Sequence, residues 1–307
     1  MELAKIIIPK IMALFLMIAV GYLVAVFGIL DRKTTRKMTD LLLGVVNPLL
    51  VFQCFQIQST PEIAKNIPIA LGTSVLAFGA QFAVAIALVH GTEWPQVCFE
   101  RLCVVFPSCG FLGIPIVSTL YGSEGVIYLS ICIAFMNFLI WTAGILMISG
   151  RCCWKTMLKN VLSPTLIGVF LGLLFFLLKI SLPDVLRAPV DSIAGMNTPL
   201  SMLISGALLY QADLKRCMRS GRVWLISAYG LLLCPLVVLL VLHWVPCVPA
   251  ICMTQVLAAA CPVAATIPML SVRYNMAVEH TACIFAMTTL LCVVTIPVVV
   301  LLCGALL

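Results

Sequence analysis

The sequence predicts an all-α polytopic membrane protein. Hydrophobic residues make up 63% of the 307-residue chain and charged residues only 9%, whereas a soluble domain carries about 25% charged residues. The mean hydropathy is +1.21, and no soluble core of this length hides so much apolar surface. The apolar residues are also gathered into runs, most of them close to the roughly 20 residues that a spanning helix needs.

Ten such runs are read, at about 7–30, 39–57, 67–90, 102–121, 125–149, 161–181, 192–210, 223–246, 249–272 and 279–303. The first contains Pro9 and is too long for the apolar core of a signal peptide, and no small-residue cleavage site follows it. The second carries Asn47-Pro48, and the seventh carries Asn197-Thr198-Pro199. The fourth and fifth are separated only by Gly122, Ser123 and Glu124, so a tight helical hairpin is expected there. The eighth and ninth are divided around Pro246 and Pro249.

The loops set an orientation. Arg32, Lys33, Arg36 and Lys37 follow the first run; Arg151, Lys155 and Lys159 follow the fifth; Lys215, Arg216, Arg219 and Arg222 follow the seventh. All three are odd-numbered loops on one face, which the positive-inside rule makes cytoplasmic. Both termini are then extracytoplasmic, in a plasma (cytoplasmic) membrane. The net charge of +7 is read as this loop bias, so no nucleic-acid partner is expected and the lipid bilayer is the partner of the apolar faces.

Five runs precede the basic segment at 150–160 and five follow it, which gives two halves of opposite topology, 1–150 and 151–307. Local features recur between them. Pro9 and Pro164 are 155 residues apart, as are Pro107 and Pro262, while Pro115/Pro268 and Tyr121/Tyr274 are each 153 apart. Inverted repeats with Gly/Pro-interrupted helices at matching positions mark many secondary transporters. Pro107-Ser-Cys-Gly-Phe-Leu-Gly-Ile-Pro115 holds two prolines and two glycines within nine residues, so unwinding is expected there. Proline deletes a backbone hydrogen bond and clashes with the preceding turn. Pro107, Pro115, Pro262 and Pro268 are therefore read as helix-breaking. A helix restarted inside the membrane presents a positive N-terminal end, which suits an anion.

Polar residues within the runs are expensive. Asn47, Gln53, Gln81, Ser108, Asn137, Asn197, Thr254, Gln255, Thr266 and Thr288 are the candidates. Gln81, Thr288 and Thr289 read as interhelical hydrogen-bonding groups. The substrate-binding set is Asn47, Pro107, Ser108, Cys109, Gly110, Asn137, Asn197, Pro262, Val263 and Thr266. No Asp or Glu lies deep within a run, and His90, His243 and His280 lie near run ends and read as structural. With no buried acid to carry a proton, transport of an anion is expected to follow the membrane potential. Without a buried nucleophile or acid pair, enzyme chemistry is not expected. The 15 cysteines lie mostly inside apolar runs, as at Cys54, Cys132, Cys234, Cys283 and Cys292, and make no CxxC pair. Neither a disulfide framework nor a metal or other cofactor is expected from that spacing.

Pro107-Ser108-Cys109, Gly113-Ile114-Pro115 and Tyr121-Gly122 resemble, in the same spacing, the Pro-Asn-Thr, Gly-Ile-Pro and Tyr-Gly of the auxin efflux carrier family. That family includes the plant PIN carriers and bacterial permeases for malonate and related acids. Asn137, four residues before Trp141, falls where PIN carriers have a glutamine, and Pro262, Tyr274-Asn275 and Thr295-Ile296-Pro297 resemble the C-terminal pattern. Ser108 departs from the family's asparagine, and the segment 150–160 is shorter than the long loop of many plant members. The resemblance implies ten spanning helices in two inverted five-helix repeats, with broken helices 4 and 9 crossing at Pro107 and Pro262. It also implies an elevator-like movement against a scaffold of helices 1, 2, 6 and 7, and a small organic anion as exported substrate. A homodimer is an accompanying expectation. The rival readings are a sodium-coupled organic-anion symporter of the bile-acid type, which shares the ten-helix inverted design, and a non-transporting receptor.

Overall fold

A computed structural model describes residues 2–56, 61–91, 93–149, 164–211, 214–264 and 266–306. The basic segment 150–160, with Cys152 and Cys153, lies outside the described residues. The described chain is helical, with no strand beyond one isolated bridge. In chain order the helices are α1 (Glu2–Val26), α2 (Arg32–Cys54), α3 (Pro61–Leu88), α4 (Trp94–Val105), α5 (Ile114–Ser149), α6 (Pro164–Leu177) and α7 (Asp184–Gly195). They continue with α8 (Asn197–Gln211), α9 (Leu214–Arg219), α10 (Gly221–His243), α11 (Pro249–Ala260), α12 (Thr266–Tyr274) and α13 (Val278–Leu306).

Six described stretches are long and apolar enough to cross a membrane: Arg32–Cys54, Pro61–Leu88, Ile114–Ser149, Asp184–Gln211, Gly221–His243 and Val278–Cys303. Phe15–Val26, Ile167–Leu177 and Pro249–Ala260 are shorter apolar helices. Large apolar side chains face outward from these helices, among them Leu16, Phe170 and Val294. Water would penalise such rows, while lipid accepts them. Within α5 the helix breaks at Gly122, whose φ of 59° and ψ of −150° only glycine tolerates without strain.

Pro48, Pro115 and Pro235 are accommodated by a common device. In α2, Leu42–Val46 forms a wide turn, and the Asn47 N–H reaches back five residues to Leu42 O just before Pro48. Cys109–Gly113 does the same before Ile114-Pro115, and Tyr229–Leu233 before Cys234-Pro235. A proline cannot donate to the carbonyl four residues back, and its ring collides with it. Widening the turn moves that carbonyl away, and such bulges gather at functional sites.

Two helix pairs approach closely through glycine. In α8, Gly206 lies against the Ile18, Gly21 and Tyr22 backbone of α1, and Gly21 lies against Leu203. Tyr22 and Tyr210 close the same seam edge to face, with centroids 5.4 Å apart. In α6, Gly168 lies against the Pro48 backbone and Gly172 against Phe55 of α2. Small residues at a membrane helix interface let backbones gain contact in lipid, where no hydrophobic force between helices helps. The end of α2 is tied to α7 and the segment before it: Gln53 Nε2 donates to Asp191 Oδ1 (2.8 Å), and Leu182 N donates to Gln56 Oε1 (3.1 Å).

The cysteines correct one expectation. Cys217 of α9 pairs with Cys283 of α13, and Cys247 pairs with Cys252, as disulfides. Linear spacing could not reveal the first pair, because folding brings its members together across 66 residues of chain. Among the described residues, no group of three or more His, Cys, Asp or Glu side chains is placed to hold a metal ion.

Candidate functional site: a crossover of two broken helices

The residue before a proline is pushed out of the helical region and into extended geometry. Phe106 precedes Pro107 and has φ −110°, ψ 95°; Cys261 precedes Pro262 and has φ −66°, ψ 151°. These two residues end α4 and α11. The extended segments then lie antiparallel, with Pro107 bridged to Val263. Ala264 N donates to Phe106 O (2.9 Å), and Ser108 N donates to Pro262 O (2.6 Å). Each break thus supplies the partner that the other has lost, as a low-dielectric interior requires. Val263 N donates to the Thr288 hydroxyl of α13 (3.2 Å). Thr288 is a residue that sequence reasoning assigns to helix packing alone. Its role depends on a neighbour 25 positions away, which no local pattern marks.

The chain resumes as helix immediately afterwards. The wide turn 109–113 runs into α5, and Ser108 O accepts from Leu112 N (3.2 Å). Pro107 and Pro262 stand at the breaks. Pro115 and Pro268 do not: Pro268 lies in the first turn of α12, where a missing N–H costs no hydrogen bond, and Pro115 follows the wide turn 109–113 within continuous helix, which moves the obstructing carbonyl aside. The unwound stretch is therefore 106–108, shorter than the Pro107–Pro115 segment expected from composition.

Asn47 and Asn197 flank this crossover. A Cβ added at Gly110 would lie 3.3 Å from Asn47 Nδ2, so the asparagine sits directly on the resumed helix. Among the described residues, buried Asn47 has no hydrogen-bond partner for its Oδ1. Asn197 is 1% exposed, and among the described residues neither its Nδ2 nor its Oδ1 has one. It opens α8, which packs against 109–113. Buried amide groups without partners cost free energy, and a bound ligand, water or ion is what would satisfy them. Cys109 is buried and its thiol faces Ala258 O at 3.8 Å. Asn137, half-buried on α5, and Thr266, half-buried at the start of α12, make no side-chain hydrogen bond to the crossover among the described residues. The amide donors and acceptors, the N-terminal end of 109–121 and the absence of a charged side chain among the residues named here suit recognition by hydrogen bonds and helix dipoles.

Glu100 is a second feature that the runs conceal. It lies two residues before the fourth run and is completely buried. Burial there comes from the surrounding helices α10 and α13, not from apolar neighbours in sequence.

Apolar spans enclosing a polar, mutually paired break define a multi-pass membrane protein of the transporter class. Residues 6–153 and 151–300 match the family described as membrane transport protein, the auxin efflux carrier family. The chain belongs to that family. An uncharacterized transporter from Methanothermobacter thermautotrophicus is 23% identical over 296 residues, covering 94% of this chain and 95% of that protein.

Proposed function

We propose that this transporter exports small carboxylates by elevator-type alternating access. In this reading, α3, α4, α5 and α10–α13 carry the crossover and move against a scaffold of α1, α2, α6, α7 and α8. The observation that carries it is the crossover with its unpartnered amides. Asn47 lies on a scaffold helix against Gly110 of the moving side, and Asn197 opens the scaffold helix that packs against 109–113. A ligand between the two bodies would satisfy them and be released when the bodies separate. A carboxylate would accept from Asn197 Nδ2 and sit at the helix end, while the Oδ1 atoms of Asn47 and Asn197 are acceptors that a ligand hydroxyl or a water would satisfy.

The same reading makes the molecule ten spans in two inverted repeats, 1–150 and 151–307. Its support is an exchange of helix pairs: the glycine seam of α1 with α8 joins runs one and seven, and that of α6 with α2 joins runs six and two. Exchanging the halves turns one pair into the other and returns the crossover of runs four and nine to itself.

The test uses the full chain in liposomes with radiolabelled mono- and dicarboxylates, malonate included, with and without sodium. Carboxylate flux independent of sodium is expected, and Asn137→Ala measures whether α5 contributes to binding. Absence of flux for every carboxylate overturns the substrate class, while flux that requires sodium transfers the protein to the symporter reading.

A further inference from the structure

Glu100 of α4, Arg222 of α10 and His280 of α13 come from three helices and meet in one cluster. Arg222 Nε donates to Glu100 Oε1 (2.9 Å) and Nη2 to Oε2 (2.6 Å), a two-pronged pair. His280 Nε2 lies 2.8 Å from Glu100 Oε1, and Gln96 Nε2 donates to the same oxygen at 3.1 Å. Arg222 Nη2 also donates to His90 O (2.6 Å), past the end of α3. A carboxylate paired with arginine only accepts hydrogen bonds, so His280 Nε2 carries a hydrogen and Nδ1 is left as the basic nitrogen. Arg222 already balances the charge of Glu100. A proton taken by His280 therefore gives the cluster a net positive charge.

The other titratable groups on the elements meeting here stand further out. Glu93, Arg219, Arg273, Glu279 and His90 are exposed, and Tyr229 is half-buried on α10 beside Arg222. Arg101 is turned to Val89 O (3.1 Å) and to the Trp94 ring. The side chains of Arg222 and His280 are 33% and 19% exposed, against 0% for Glu100, so both reach the surface of the cluster while the carboxylate does not.

We propose that Glu100, Arg222 and His280 form a proton-binding site, with His280 taking the proton, and that this proton crosses the membrane together with the carboxylate. The inference rests on the carboxylate-transport reading above. All three residues belong to the helices assigned to the moving body, so the elevator step carries the cluster without dismantling it. Glu100 lies seven residues before Pro107 in the same chain direction, about 10 Å of helix, which is about one Debye length at 0.1 M salt. A positive cluster at that distance favours an anion at the crossover. Loading the anion in turn favours the protonated histidine, as reciprocity between two sites requires. The proton enters from water on one face, resides on Nδ1 and returns to water on the other.

The experiment uses liposomes that contain the full chain, a pH-sensitive dye and radiolabelled malonate, with malonate allowed to leave. It is run at about pH 7.5, where carboxyl groups are ionised and bring no proton of their own. Wild-type protein is expected to raise the internal pH as malonate leaves, by about one proton per malonate. His280→Gln is expected to lower that ratio several-fold, and Glu100→Gln to lower it as well, whereas His243→Gln leaves it unchanged. Malonate that leaves wild-type liposomes with no accompanying proton sinks the inference and leaves the carboxylate reading standing. A ratio that survives in His280→Gln also sinks it. Failure of malonate to move at all removes the carboxylate reading, and this inference with it. The wild-type ratio needs no variant, so a variant that folds poorly does not prevent a decision.

Discussion

Asn47 and Asn197 carry the most informative side chains at the residue scale, because each is buried with hydrogen-bonding capacity left over. An ordinary buried amide that loses its partners on truncation destabilises the protein. Here the truncated atoms have no protein partner to leave behind, so truncation relieves a desolvated group. Asn197→Ala is therefore expected to leave the melting temperature unchanged or to raise it slightly. The same substitution removes a hydrogen bond to a charged ligand, worth about 1.5–3 kcal/mol, which is roughly ten- to hundredfold in affinity. The check is a pair of measurements on one preparation, carboxylate binding and thermal melting. A variant that melts much earlier and binds normally would make Asn197 a structural residue. Asp31, at the start of α2, shows the contrasting satisfied case. Its carboxylate caps α2 by accepting from Thr34 N at 2.7 Å, and that hydrogen bond holds its pKa below the ordinary value.

Glycine and proline act at the element scale in opposite ways. Proline follows three of the wide turns and stands at the two breaks, and so decides where those helices bend or stop. Glycine sets how closely helices approach. At Gly206 a Cβ would collide with Ile18 O and Tyr22 N of α1, both of them backbone atoms that cannot rotate away. Gly206→Ala must push α1 and α8 apart, and overpacking of this kind typically costs about 1–3 kcal/mol. A drop in melting temperature and in the yield of detergent-solubilised protein is the expected result. Gly44→Ala is the control, since nothing lies within 4 Å of a Cβ at that position. Equal stability of the two variants would show that the α1–α8 seam relaxes freely.

Orientation and coupling belong to the scale of the whole molecule. From the basic loops at 31–40, 150–160 and 211–222 the expected orientation has both termini extracytoplasmic. A reporter that is active only in the cytoplasm, fused after Leu307, is expected to give no signal, and the same reporter placed in the loop at 211–222 is expected to give a strong one. A strong signal from Leu307 reverses the orientation. In that orientation the Glu100–Arg222–His280 cluster lies toward the cytoplasmic face, because Arg222 closes the third basic loop. The expectation of potential-driven transport without a coupling ion rested on the lack of a buried acid, and the burial of Glu100 removes that premise.

Much of this molecule is legible in its sequence for a simple physical reason. In lipid, backbone polar groups must be satisfied within each segment, so length and apolarity alone mark the helices. Their order, the Gly122 break and the positions of Pro107 and Pro262 follow from residues read one after another, because propensity and steric exclusion are local. Tertiary structure decided what lies opposite what. It paired Ser108 with Pro262 and Phe106 with Ala264, turned Thr288 from a packing residue into the acceptor for Val263, and put Pro268 in the first turn of a helix and Pro115 within continuous helix, where breaks were expected. It also buried Glu100 beneath Arg222 and His280, residues 122 and 180 positions away, and joined Cys217 to Cys283. Burial, charge pairing and hydrogen-bond satisfaction depend on neighbours supplied by distant segments, and no window along the chain contains them.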